Sequence, residues 1–315
     1  MPTLSSFFAY DALQPGELGY HHIEHLVMDQ QNAWLDGYAL RMRDGLPLLV
    51  EEAGGRVDGY LMDFRDPGEG FSAVSAYASR KHYRWAQGGL EFRTDAGLRR
   101  ASALLGRSPG SGSEIEHLNR WSSADDPVFA YGVPVAAAIA RPWLDATNVA
   151  QPWEALFHLQ AAYLLTWTAV ERLAALRLGP DAEEPTALVR RLRDMDGWSN
   201  LFQRARVRTG NRKIFDSRDP QDAYKLDDDG KKAWDFWYAV RSNLSHRGKG
   251  ARRDLEIVRE GFIDVHDVLR LILLQHANGV ARTWSRVDAD GKQRDWLLRD
   301  LLVTSAAGSC LVHRG

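Results

Sequence analysis

WDFWYAVRSNLSHRGKGARR, residues Trp234–Arg253, begins as a helix and ends as a basic loop. Trp234, Trp237 and Leu244 fall on one side of a 3.6-residue period, and Asp227–Asp229 just upstream suit a helix start. Arg241 lies on the same stripe. A guanidinium cannot shed its charge by losing a proton, so on an inward face it requires a carboxylate, a phosphate or a water-filled cleft opposite it. His246 follows, an offset of about 140° in a straight helix, so the two side chains converge only where the helix bends or ends between them. Ser242, Asn243 and Ser245 compete for backbone hydrogen bonds and Gly248 and Gly250 are natural terminators, which predicts a distortion here. The plain structural reading of the same residues has His246 and Arg247 as cations favoured at a helix C-terminus, with Arg241 paired to an internal acid.

Outward from this stretch the pattern stays helical. Pro152 suits a first-turn position, and Trp153, Leu156, Leu164, Trp167 and Leu173 carry a helical period to Leu178. A second helix is predicted over Pro185–Phe202. Beyond the motif, Leu255, Val258, Phe262, Val265, Leu269 and Ile272 alternate in threes and fours, a bundle spacing. Five Lys or Arg residues and no acid lie between Arg241 and Arg253, and Arg204, Arg206, Arg208, Arg212 and Lys213 form a second basic group. Such groups are usually solvated faces. Beside a phosphate-handling pair they supply backbone contacts to single-stranded RNA.

Arg241-Ser242-Asn243-Leu244-Ser245-His246, an arginine, a polar residue and a histidine near a helix end, resembles the motif of the HEPN superfamily. It stands late in a helical region, after a long amphipathic helix carrying TWTAVERL (Thr166–Leu173). The resemblance covers residues 152–280. It implies a metal-independent endoribonuclease without cofactor, in which two protomers pair their motifs across one cleft, with RNA and a second copy of the chain as partners. Arg241 and His246 are the implied catalytic pair, and Ser242, Asn243, Arg247, Lys249 and Arg252 the residues that hold RNA. The implied setting is bacterial defence or a toxin system.

The first 65 residues read as strands instead. Phe7–Leu13 is a short apolar run, Trp34–Arg41 has strand character, and Leu46–Glu51 and Arg56–Phe64 flank Gly54-Gly55 as a hairpin would. The first strand FFAYDALQPGE and the stretch LDGYALRMRDGLPLLVEEAGGRVDGYLMDF resemble the gamma-glutamyl cyclotransferase-like family over residues 5–90, extending toward 140. The resemblance implies a small mixed barrel whose first loop, Tyr10-Asp11-Ala12-Leu13, presents backbone amides to a carboxylate or an amino-acid-like ligand. Two departures oppose the family's reaction. Asp11 puts a side chain and a negative charge where glycine is usual, and Ala78 stands at the position of the acid-base glutamate. A methyl group carries no proton, and general acid-base catalysis contributes about 10²- to 10⁴-fold. Glu69 or Glu91 substitutes only if the register slips. His21, His22 and His25 with Glu24 are the densest histidine group, and His21 and His25 stand one helical turn apart. With no fourth ligand at a recognisable spacing, they read as a polar loop and no metal site is expected.

The chain has 315 residues, 44% hydrophobic and 26% charged, a globular balance with room for two domains. A net charge of −2 gives no global attraction to nucleic acid, so an RNA site has to be a local patch. The single cysteine, Cys310, excludes an intramolecular disulfide and a Cys-rich zinc site, and fits a reducing cytoplasm. No apolar run reaches membrane-spanning length and MPTLSSFFAYDAL lacks a signal-peptide pattern, so no membrane partner is expected. Thr94–Leu105 suits a helix, GRSPGSGS (Gly106–Ser113) a surface loop, and Val128–Ile139 a last strand or buried strap. The fold class is therefore α+β. A cyclotransferase-like domain over 1–145, catalytically degenerate, joins near Arg141–Gln151 an all-α HEPN-like bundle over 146–280, followed by an extension over 281–315. No phosphate-cradling glycine loop, nucleophile elbow or HExxH pair is present. Three functions remain in play: a ribonuclease effector whose N-terminal domain senses a small-molecule or protein ligand, a non-catalytic ligand- or protein-binding module, and a surviving cyclotransferase with a helical assembly domain.

Overall fold

The computed structural model describes residues 4–43, 45–78, 81–107, 114–123, 126–144, 151–179, 185–195, 213–215, 223–226, 230–246, 251–276, 283–287 and 292–297. The chain divides into two compact units, Met1–Asp126 with Leu173–Glu184, and Pro127–Arg172 with Pro185–Gly315. The division thus falls upstream of Arg141–Gln151. Arg141–Leu144 is helical, and 145–150 lie outside the described residues.

The first unit is built on β1 (Ser6–Ala9), β2 (Val27–Arg43), β3 (Leu46–Phe64), α1 (Pro67–Tyr77), β4 (Tyr83–Trp85), β5 (Leu90–Thr94), β6 (Gly97–Gly106) and β7 (Glu114–Leu118). Strand order is β1-β3-β2-β5-β6-β4, and β1 also pairs in parallel with β6, so β1, β3, β2, β5 and β6 close into a small barrel. β7 adds to β2. Along β2 and β3, Ala33, Leu35, Val57 and Gly59 are buried while their neighbours are partly or fully exposed, the alternation of a sheet with one face inward. β1 is buried throughout. Phe8 stacks on Phe92 with ring centroids 4.4 Å apart, whereas Phe7 meets Phe64 and Trp85, both of which meet Phe71 of α1. α1 starts because Asp66 accepts the Gly68 and Glu69 amides (2.7 and 3.2 Å) and Pro67 takes the first turn.

Two local expectations are corrected. Gly54-Gly55 is no hairpin turn: β3 runs through it, and the pairing of β3 with β2 extends to Arg43 opposite Leu46. The glycines form an irregularity where the register shifts between Asp36 and Tyr38. Gly37 and Gly54 both have φ of +79°, and a Cβ on Gly55 would stand 2.4 Å from the Tyr38 carbonyl oxygen. Thr94–Leu105 is no helix either. Thr94 Oγ1 accepts the Ala96 amide (3.2 Å) and donates to the Gly97 carbonyl (3.0 Å), Gly97 takes φ of +122°, and the chain reverses into β6.

The second unit opens with a π-helical turn, Val128–Gly132, leading into α2 (Val133–Leu144). A strand or strap was expected there. The buried residues Phe129, Ala130, Val133, Ala136, Ala137, Ala140 and Leu144 instead trace a helical stripe through an alanine-rich run. α3 (Pro152–Leu178) has the predicted span, its last residues counting with the first unit. α4 (Pro185–Asp194), α5 (Gly230–His246) and α6 (Ala251–His276) follow. The part of the second predicted helix beyond Met195 lies outside the described residues. The core is aromatic: Trp167 packs on Trp234 (4.9 Å) and Tyr238 (5.3 Å), and Tyr163 donates to the Trp237 carbonyl (2.6 Å). Gly261 admits α6 to this cluster, since a Cβ there would stand 2.9 Å from the Trp237 ring. The α6 stripe from Val258 to Ile272 is buried as its spacing requires, whereas Trp153 is exposed and stacks on Phe157. The unit is not all-helical. β8 (Lys213–Phe215) pairs with β9 (Ala223–Lys225), and β10 (Thr283–Val287) pairs with β11 (Gln293–Leu297) in the C-terminal extension. Among the described residues no helix is long and apolar enough to cross a membrane.

Candidate functional site

In the second unit the motif sits at the end of α5, and the distortion expected inside it is absent: the helix continues from Arg241 to His246 and ends there. In a regular helix positions 241 and 246 stand about 140° apart around the axis. Arg241 is half-buried, and its Nη2 donates to Glu171 Oε1 of α3 at 2.7 Å. Glu171 belongs to TWTAVERL, so both sequence signals of this half meet in one ion pair. The guanidinium also lies 5.7 Å from the Tyr238 ring centroid. Burial raises the Glu171 carboxyl above its ordinary range, and the Arg241 charge pulls it back down. Tyr163, fully buried, is raised well above its usual value by burial first. Its Trp167 bond and Arg241 lower it, and the negative charge of Asp264 on α6 raises it. Asp264 and Arg241 thus both act on Tyr163, while the ion pair itself joins α3 and α5. Gln160 of α3 donates to the Leu244 carbonyl (3.3 Å), satisfying one of the orphan acceptors at the end of α5.

Of the other candidate RNA residues, Ser242 is partly exposed and Asn243 is buried at 5% exposure. Position 252 falls in the first turn of α6. Arg247 and Lys249 lie outside the described residues, as do Arg204, Arg206, Arg208 and Arg212; Lys213 is exposed on β8.

In the first unit the Tyr10–Leu13 turn is sealed: Tyr10, Asp11, Ala12 and Leu13 are at most 3% exposed. Tyr10 donates to the Leu104 carbonyl (2.8 Å). Asp11 Oδ1 accepts the Leu13 amide (3.0 Å), so the turn's amide is held by the protein's own carboxylate. Burial raises the Asp11 pKa to about 6, opposed by the Leu13 amide and its own backbone and assisted by the nearby negative charge of Glu17. Glu17 accepts from the Ser123 amide (2.8 Å) and hydroxyl. Gln14 ties the turn to Trp121 through that residue's carbonyl (3.0 Å). Nothing in the sequence spacing pointed to Gln14, Glu17 or Ser123, which the barrel brings in from 107 and 106 residues apart. Ala78 ends α1 next to Tyr77, whose ring packs on Gly19, and the Gly19 amide donates to the Ala12 carbonyl (2.9 Å). Glu69 and Glu91 are exposed, on the first turn of α1 and on β5.

The histidine group is only partly solvated. The His21 and His22 rings lie 4.1 Å apart, tilted 40° to each other, and are half-buried, while His25 and Glu24 are exposed. Burial, then His22 and Arg177, lower the His21 pKa to about 4. His22 Nε2–H donates to the Arg177 carbonyl (2.8 Å), and the Tyr77 hydroxyl to the Leu176 carbonyl, so these side chains cap the C-terminus of α3 ahead of Gly179, which takes φ of +102°. Among the described residues no group of three His, Cys, Asp or Glu could hold a metal ion.

No family model matches the chain, and no curated protein does. Among solved structures it is similar to an uncharacterized protein of Pyrococcus horikoshii, PH0828 (19% identical, 36% of this chain and 86% of that one, TM-score 0.26). Two Arabidopsis thaliana proteins are also similar: At5g39720.1 (15% identical, 38% and 79% covered, TM-score 0.27) and At3g28950.1 (16% identical, 37% and 72% covered, TM-score 0.30). Scores of this size carry no argument about activity.

Proposed function

We propose that this chain is a metal-independent endoribonuclease of the HEPN type, with Arg241 as phosphate-stabilising cation and His246 as proton carrier, joined to a cyclotransferase-like barrel that no longer turns over gamma-glutamyl compounds. The plain structural reading also pairs Arg241 with an internal acid, and Glu171 is that acid; the observation that supports the nuclease reading is that this pair, near the end of α5, keeps about a quarter of its side-chain surface in water. It keeps a permanent cation, held in place by a carboxylate, at the helix end that bears the histidine.

RNA cleavage without metal needs a base for the 2′-hydroxyl proton, an acid for the leaving 5′-oxygen and a cation against the charge of the phosphorane. Histidine exchanges protons near neutrality, and a guanidinium can hold two phosphate oxygens at once. Since positions 241 and 246 diverge on one helix and one motif supplies one histidine, a second copy of the chain completes the set, as a two-fold dimer allows. Arg247, Lys249 and Arg252 follow the histidine in sequence and hold the strand by its phosphates.

The products are a 2′,3′-cyclic phosphate and a 5′-hydroxyl, and cleavage survives EDTA. His246→Ala abolishes it with the fold intact, and Arg241→Lys also fails because lysine loses the planar fork. A His246→Ala protein that cuts single-stranded RNA as fast as the parent sinks the reading. The sealed Asp11 turn favours a barrel without cyclotransferase turnover, so a second reading for the barrel alone is a non-catalytic module that binds its partner elsewhere than at this turn. Release of 5-oxoproline by the intact chain, lost on removing residues 1–90, would overturn both that reading and the assignment of a degenerate barrel.

A further inference from the structure

The geometry points to Glu171 as a positioning residue of the nuclease site, which fixes the Arg241 guanidinium toward the scissile phosphate without itself touching RNA. The inference rests on the nuclease reading and deepens it.

An arginine side chain has four rotatable bonds, so a cation at a helix end is useful to a transition state only when something holds its plane. Glu171 Oε1 takes Nη2 at 2.7 Å, and the Tyr238 ring lies 5.7 Å from the same guanidinium. The two partners come from α3 and α5, 70 residues apart, so folding the bundle is what assembles the pair. The pair is also open to solvent, with side chains 29% and 24% exposed. A buried structural pair has no access to a ligand, and a fully exposed pair has no fixed geometry. This one has both access and a partner.

A carboxylate bound to one guanidinium nitrogen holds the arginine in the free protein. A phosphate then meets a cation already oriented, and misplacement of a charge-stabilising group by about 1 Å is worth on the order of 10²-fold in rate. Glu171 carries no proton in this role: His246 and its symmetry mate take and give the protons.

The test is single-turnover cleavage of a fluorescent single-stranded RNA oligonucleotide across pH by the full chain, its Glu171→Gln and Glu171→Ala forms, and both combined with Arg241→Ala. Glu171→Gln keeps the shape and removes the charge. It lowers the plateau rate about tenfold or more with RNA affinity nearly unchanged, and leaves the pH limb of the histidine where it was. In the Arg241→Ala background Glu171→Ala has no further effect, because the residue acts only through that arginine. Parental rates in Glu171→Gln overturn the inference, as does a shifted pH limb, which would make Glu171 a proton carrier. An equal loss in both backgrounds overturns it as well, since that marks a general packing role. A chain that leaves RNA intact overturns the nuclease reading and this inference together. Cleavage abolished by His246→Ala but untouched by Glu171→Ala overturns the inference alone.

Discussion

Asp11→Asn isolates the strongest electrostatic consequence of the barrel. Asparagine keeps an oxygen to accept the Leu13 amide and removes the buried charge. In the parent, burial raises the Asp11 pKa from 3.8 to about 6. A carboxyl whose folded pKa lies above its unfolded value contributes most stability at low pH, where both states bind the proton, and loses it as pH rises through the folded value. The shift of roughly 2 units corresponds to about 3 kcal/mol between the two limits, of which about 1.4 kcal/mol already separates pH 8 from pH 5. The new amide adds a constant offset, because its NH₂ has to find an acceptor. The sharp quantity is therefore the pH slope of the difference, parent minus variant, and not its value at one pH. Urea unfolding at several pH values, followed by hydrogen exchange of peptides from the barrel so that the second unit does not confuse the signal, measures it. The parent gains on the variant by about 1.4 kcal/mol from pH 8 to pH 5. A difference flat within a few tenths of a kcal/mol, or of opposite slope, refutes a buried, raised Asp11.

His266 gives the opposite slope: burial first, then Arg270, lower its pKa from 6.5 to about 4 despite its bond to the Val133 carbonyl. Its contribution is complete above pH 6.5 and falls by up to about 3 kcal/mol as pH drops through 4, so the parent's advantage over His266→Gln shrinks on acidification in urea titrations of the helical unit. Gly55→Ala drives a methyl against the Tyr38 carbonyl and costs about 1–3 kcal/mol in barrel stability by chemical denaturation; an unchanged midpoint would show that the irregularity relaxes freely. Tyr77→Phe removes the hydroxyl that caps α3 and costs about 1 kcal/mol, with faster amide exchange at Leu178 and Gly179 as the local signature.

The long elements were legible because their signals are repetitive. α3 announces itself by Pro152 and a stripe sustained to Leu178, and the threes and fours of α6 mark a helix, although its burial from Glu260 to Arg270 goes all round, charged residues included. Short glycine signals misled. Gly54-Gly55 has the composition of a hairpin turn, yet two strands of this length pair past it, and the ladder absorbs the extra residues as an irregularity opposite Gly37. The Val128–Ile139 run was ambiguous because a continuous apolar stretch suits a buried strand or helix equally, and its alanines decide for helix. At the motif, Arg241 on an inward stripe required a counter-charge, but only the fold could name Glu171, 70 residues away. The barrel's polar ties, Gln14 to Trp121 and Glu17 to Ser123, are equally non-local and leave no periodic trace.

In each unit a carboxylate of the protein occupies the place where an anion was expected: Asp11 on the turn amide, Glu171 on the motif arginine. Burial separates the two cases. Asp11 is 3% exposed and its turn is closed by Tyr10, Ala12 and Leu13, so an outside carboxylate would have to enter a filled interior beside a second acid, Glu17. Desolvating that ligand without displacing Asp11 is unfavourable, so the turn as folded does not admit a second carboxylate. Glu171 and Arg241 keep about a quarter of their side-chain surface in water. An anion reaching that guanidinium is only partly desolvated and finds the arginine already held by Glu171, so under the proposed nuclease reading the internal pairing that closes the first turn leaves the second open to a phosphate.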